Sequence, residues 1–169
     1  MTFGVVNEAA AEVRRQFDDT GVVGVPRTTG NRGVHVYVRP LPERDGYQVR
    51  AAAVAVAREL ERRRPEERGT RVFVDLNQSA PHKTVVGAWC VRANAHAQVS
   101  APFGLDERAT LATVPARVAA AGNPWATMAD RPQSLGPLPV LHRADMAAGL
   151  MDAPWPPRVA PSRARQPES

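Results

Sequence analysis

The chain has 169 residues and a mass of 18.3 kDa, enough for one domain with a hydrophobic core and too little for two enzymatic domains with a linker. Apolar residues make up 43% and charged residues 23%, the mean hydropathy is −0.34, and no apolar run approaches the roughly 18 residues of a membrane-spanning helix. Twenty-two basic against 17 acidic residues leave a net charge of +5, and a pI near 10.5 favours an anionic partner such as nucleic acid or a nucleotide.

In chain order, Val5, Ala9, Val13 and Phe17 recur at steps of four between charged residues, which predicts an amphipathic helix from Val5 to Phe17, stopped by Asp18-Asp19-Thr20-Gly21. Val22 to Arg27 is a short β-branched run, and Val34 to Val38 alternates as a strand does, with the turn-forming Thr28-Thr29-Gly30-Asn31-Arg32-Gly33 between them. Gly46 to Arg64 predicts a long helix with Val49, Ala53, Val56 and Leu60 on the buried stripe and Arg50, Arg58, Glu59 and Arg62 off it. Arg71 to Asp75 and Thr84 to Arg92 read as two further strands, separated by a polar stretch that contains Lys83, the only lysine. Lys83 is followed by Thr84, Val85 and Val86, not by the Lys-x-Asp-Gly of a covalent nucleotide carrier. Val114 to Ala121 predicts a short helix, and Asn123-Pro124-Trp125 starts another. From Pro154 onward Trp155 stands among prolines and arginines, the composition of a disordered basic tail. The fold class is therefore α/β (α+β), with a domain over 1–150 and a tail over 151–169.

Cys90, the single cysteine, lies in an apolar run where a buried, inert thiol is expected. Without an internal disulfide or a signal peptide after Met1, a reducing cytoplasm is the expected location. His82, His96 and His142 have no Cys, Asp or Glu at zinc-ligand spacing.

Two constellations carry chemistry. In the first, Gly30 and Gly33 free the backbone to turn amides toward an anion, with Thr29, Arg32 and His35 beside them. The same residues equally suit a plain hairpin turn, with the glycines serving only backbone geometry. In the second, Asp75 ends a strand, followed by Gln78, Lys83 and Arg92. A strand-end carboxylate is where α/β sheets place metal-binding or catalytic acids, although an exposed loop-capping Asp reads the same way.

Pro26-Arg27-Thr28-Thr29-Gly30-Asn31-Arg32-Gly33-Val34-His35-Val36-Tyr37-Val38, then Arg71 to Gln78, then Lys83-Thr84 and Val91-Arg92, occur in an order that resembles the polymerase domain of bacterial multifunctional DNA ligase D, in the archaeo-eukaryotic primase superfamily. The resemblance runs more loosely through Ala101-Pro102 to Asn123-Pro124-Trp125 and about residue 140. It implies packed α/β units and a nucleotidyltransferase of DNA-directed polymerase or primase type, acting with Mn2+ or Mg2+ in double-strand break repair by non-homologous end joining. Thr29, Arg32 and His35 would then hold the incoming triphosphate, Gln78 would contact the nucleotide, and Arg92 its phosphates. Asp75 would be a catalytic, metal-binding carboxylate and Lys83 a basic position toward DNA. Implied partners are DNA ends, ribo- or deoxynucleoside triphosphates, a DNA ligase and a DNA-end-binding protein, with no membrane and a nucleoid-associated location. Family members also carry an Asp-x-Asp pair on a strand ahead of the first helix. The chain is accordingly expected to be the C-terminal portion of such a domain, active once the half bearing that pair is supplied. The alternative is a catalytically inactive fragment that binds nucleotide or DNA.

Overall fold

The computed structural model describes residues 3–65, 75, 83–103 and 108–150. Among the described residues, five helices and a two-stranded antiparallel sheet follow one another as α1 (Phe3–Asp19), β1 (Val25–Thr28), β2 (Val34–Tyr37), α2 (Gly46–Arg63), α3 (Val114–Ala121), α4 (Pro124–Ala129) and α5 (Leu138–Ala147). Mixed helix and strand, as expected, is the class. The expected strand at Arg71 to Asp75 and the tail at 151–169 lie outside the described residues, apart from Asp75.

The main core forms where α1 ends and the chain turns back: Phe17, Val22, Ala52, Val56, Leu135 and Leu138 are buried together, and Val13, Val36, Val38 and Val49 pack on them. Gly24 allows this closure, because a Cβ there would stand 2.5 Å from the Phe17 ring and 2.8 Å from Val36 Cγ1. Asp45 starts α2 with a capping box, its carboxylate accepting from the Gln48 amide at 2.8 Å while the Gln48 side chain accepts from the Asp45 amide at 3.3 Å. Asp45→Ala is expected to cost about 1 kcal/mol, the usual worth of an exposed N-cap, measurable as a lower urea midpoint at unchanged m-value.

Gln133 ties the hairpin to the C-terminal segment. Its side chain accepts from the Val23 amide at 2.7 Å and donates to the Val23 carbonyl at 2.8 Å, and its amide donates to the Arg39 carbonyl at 3.0 Å. Farther on, α5 lies along α2 and places Asp145 3.5 Å from Arg58 and 3.2 Å from Arg62. Arg63 joins α2 to α1 through Glu12 at 3.2 Å and Asp19 at 2.8 Å. Burial pushes the Glu12 carboxyl up, but Arg15 and Arg63 outweigh it and hold the group below its ordinary value.

Four readings are corrected. Thr84 to Arg92 is not a strand: Trp89 takes φ 64°, a conformation that breaks extension, and only Val91 makes a bridge, to Val99. Cys90, carried by that turn, is exposed instead of buried. Arg50, assigned off the apolar stripe of α2, is 6% exposed, because neighbouring elements cover α2 around more of its circumference than one stripe. The first strand is also shorter and later than Val22 to Arg27: Val22 packs in the core and β1 starts at Val25. No element is expected over Leu138–Ala147, yet α5 forms there, its Pro139 at a first-turn position where proline is tolerated.

Candidate nucleotide-binding groove

The turn from Thr29 to Gly33 closes the hairpin. The Thr29 amide donates to the Gly33 carbonyl at 2.9 Å, and Thr29 Oγ1 accepts from the amides of Asn31 at 3.3 Å and Gly33 at 3.2 Å. Two of the amides that a phosphate cradle would offer are therefore spent on the turn itself, which favours the hairpin reading of the glycines. What the turn achieves is register: Arg27 opposes His35, and Thr28 opposes Val34.

That pairing builds a cationic and aromatic cluster on one face of the sheet. Arg27 Nη2 lies 2.9 Å from His35 Nδ1, and Tyr37 Oη 3.3 Å from the same nitrogen. The Arg27 guanidinium stands over the rings of Tyr37 at 4.7 Å and Trp125 at 5.3 Å from their centroids. The two rings meet edge to face, 5.0 Å apart. Arg27 is 1% exposed, and its Nε has no hydrogen-bond partner among the described residues. Burial lowers the His35 pKa from its ordinary value, Arg27 and Arg92 lower it further, and Asp75 pulls the other way. Burial likewise raises the Tyr37 phenol, against the pull of Arg27.

Between β2 and the helices α1 and α2 opens a groove of about 510 Å3, walled mostly by apolar residues of those elements, with Arg32, His35, Tyr37 and Asp75 as the charged or titratable residues among its described lining. Arg92 reaches the same region from another segment: its Cγ would be 2.8 Å from a Cβ on Gly30, and it borders a small cavity with Asn31 and Asn94. The irregular stretch 97–101 holds it there. The Arg92 amide donates to the Gln98 carbonyl at 2.7 Å, and Ser100 Oγ donates to the Thr28 carbonyl at 3.0 Å.

Of the residues singled out from sequence, Thr29, Arg32, His35, Asp75 and Arg92 thus collect around the hairpin and its groove. Lys83 is exposed and does not line the groove, and Gln78 lies outside the described residues. Arg27, Tyr37 and Trp125 carry no functional signal in the sequence, although a hairpin centred on Asn31 sets Arg27 opposite His35. Among the described residues no group of three or more His, Cys, Asp or Glu side chains could hold a metal ion.

Comparison with known proteins gives a consistent result. The family model for the LigD primase-polymerase domain matches residues 1–125. The chain is 35% identical over 107 residues to the multifunctional non-homologous end joining DNA repair protein LigD of Mycobacterium tuberculosis, covering 56% of this chain and 14% of that protein. It is 26% identical over 154 residues to the bifunctional non-homologous end joining protein LigD of Bacillus subtilis, covering 80% of this chain and 25% of that protein. Among solved structures, the polymerase domain from Mycobacterium tuberculosis Ligase D in complex with DNA superimposes with a TM-score of 0.67 at 29% identity, over 78% of this chain and 52% of that one. The chain thus spans a small part of these curated relatives and about half of the solved domain.

Proposed function

Because the chain belongs to the LigD primase-polymerase domain family, we propose that it is part of a nucleotidyltransferase domain that acts on DNA ends in non-homologous end joining, and that its hairpin groove takes the triphosphate of the incoming nucleotide. The observation that carries this reading is the convergence of Arg32, His35 and Asp75 on one groove, with Arg92 beside the Gly30 turn.

In this reading Arg32 and Arg92 neutralise phosphate oxygens as forks, His35 donates one hydrogen bond, and the Thr29 hydroxyl, whose oxygen already accepts two amides, still has its proton to give. Gln78 contacts the nucleotide and Lys83 the DNA backbone. The net charge of +5 and the DNA bound to the solved relative support a DNA end as the second substrate. A DNA ligase and an end-binding protein are the partners that such a repair reaction calls for.

Mn2+ or Mg2+ is the cofactor class of the family, and when bound it would supply charge neutralisation at the transferring phosphate. Asp75 is the carboxylate offered to it on the groove, and one carboxylate is not a two-ion site. The described residues do not by themselves fit that group.

Calorimetric titration of the folded chain with ATP at low ionic strength tests the reading. Binding is expected, and Arg92→Ala should weaken it about tenfold, the loss of one charge-assisted contact. The absence of any ATP binding at low salt, where electrostatic attraction is strongest, would overturn it.

A further inference from the structure

Two polar groups approach one ring nitrogen of His35. Arg27 Nη2 and Tyr37 Oη both approach Nδ1, at 2.9 and 3.3 Å. A guanidinium remains protonated and has donors only, so Arg27 donates, and Nδ1 must carry a lone pair. The proton of the neutral ring then sits on Nε2.

We propose that Arg27 is a positioning residue that locks His35 in its neutral Nε2–H form, so that the ring offers one fixed N–H donor to a phosphate oxygen in the groove. This rests on the nucleotide reading above. The geometry carries it in three ways. His35 lines the groove and Arg27 does not, so with Nδ1 occupied from behind, Nε2 is the nitrogen left to serve a ligand. Arg27 cannot swing away, since it is 1% exposed and held against the rings of Tyr37 and Trp125, which meet each other edge to face beside it. The hairpin register places it directly across from His35.

The charged and titratable groups around the ring agree with this. Arg27 faces it from β1, Tyr37 from β2, and Arg92 from the segment that packs on the turn, while Asp75 is the single acid among the described residues that influence it. An imidazolium would set an Nδ1–H against the guanidinium N–H groups and bring two cations together beside Arg92. Asp75 alone would favour it. A phosphate in the groove would itself favour protonation of His35, and the lock keeps the contact a hydrogen bond between a neutral donor and an anion, with no proton uptake when the ligand enters.

Selective nitrogen-15 labelling of histidine and long-range proton–nitrogen correlation on the whole chain, at neutral pH and without nucleotide, reads the tautomer directly, with His35→Gln assigning the signal. His35 is expected to show a protonated Nε2 and an unprotonated Nδ1. Arg27→Met should turn this into a mixture of forms and weaken ATP binding about tenfold, as loss of one oriented contact implies. Arg27→Lys, which keeps a cationic donor in the aromatic box, should restore both, an outcome that a purely packing role for the guanidinium would not produce. A proton on Nδ1, or a charged ring, in the unmodified chain overturns the inference without recourse to any variant. Correct tautomer with no ATP binding in the unmodified chain would instead sink the nucleotide reading, so the two failures are distinguishable.

Discussion

Gly30→Ala is expected to destabilise the chain by about 3 kcal/mol and to abolish triphosphate binding. Gly30 has φ 69°, where an L side chain costs roughly 1–2 kcal/mol. Strain is the smaller part. An added Cβ would stand 2.8 Å from Arg92 Cγ and 3.0 Å from both the Ser100 amide nitrogen and the Val99 carbonyl carbon. The arginine stem could move, but the two backbone atoms belong to the stretch that hydrogen-bonds β1 through Thr28 and Ala101, and overpacking of that kind typically costs about 1–3 kcal/mol more. Displacing that stretch also carries Arg92 away from the turn, so binding should fall further than in Arg92→Ala, where the backbone is untouched. Gly21→Ala is the control: Gly21 has the same φ of 69° and nothing within 4 Å of a Cβ. Urea denaturation should show a cost of about 1 kcal/mol there. Equal costs at the two glycines would refute the steric part of the argument.

Phe17→Ala should cost about 3 kcal/mol, the lower end of the range for a buried phenylalanine. The ring joins the end of α1 to Val22, to Ala52 and Val56 of α2, and to Leu135 and Leu138 ahead of and within α5, so its removal loosens several elements at once. The groove beside it means that part of the ring's surroundings is already empty, and less contact is lost than in a closed core. Against a typical total stability of roughly 5–15 kcal/mol, the variant should show a large drop in urea midpoint. A double-mutant cycle with Gly24→Ala sharpens the test. Alone, Gly24→Ala places a methyl 2.5 Å from the Phe17 ring and should destabilise; combined with Phe17→Ala, the methyl enters the vacated space, and the pair should cost less than the sum of the single changes. Additivity would mean that the two groups do not share that space.

Much of the helical frame was legible in the sequence. Val5, Ala9, Val13 and Phe17 mark α1, the cluster of turn residues after Phe17 ends it close to Asp19, and α3 runs over Val114–Ala121 as its composition predicts. The paired strands and their turn were legible too, since two β-branched runs around a Gly-rich centre allow little else. The stretch Thr84 to Arg92 misled because hydrophobic runs say nothing about which partner strand is within reach; here Trp89 turns the chain and Val91 finds Val99. The helix at Leu138–Ala147 was hidden for a related reason. Its amphipathic pattern is weak, and packing along α2, with Asp145 between Arg58 and Arg62, supplies what its own sequence lacks.

The order of amino acids by itself determined the helices with strong periodicity, the two short strands around a Gly-rich turn, and the grouping of Thr29, Arg32 and His35 near that turn, because those features depend on residues a few positions apart. Only the tertiary structure decided that Arg27 is buried, that Trp125 and Tyr37 box it in, that Arg92 leans on Gly30, and that Asp75 shares a groove with His35. The state of a charged or titratable side chain is set by what surrounds it in space, and here those surroundings come from segments far apart along the chain.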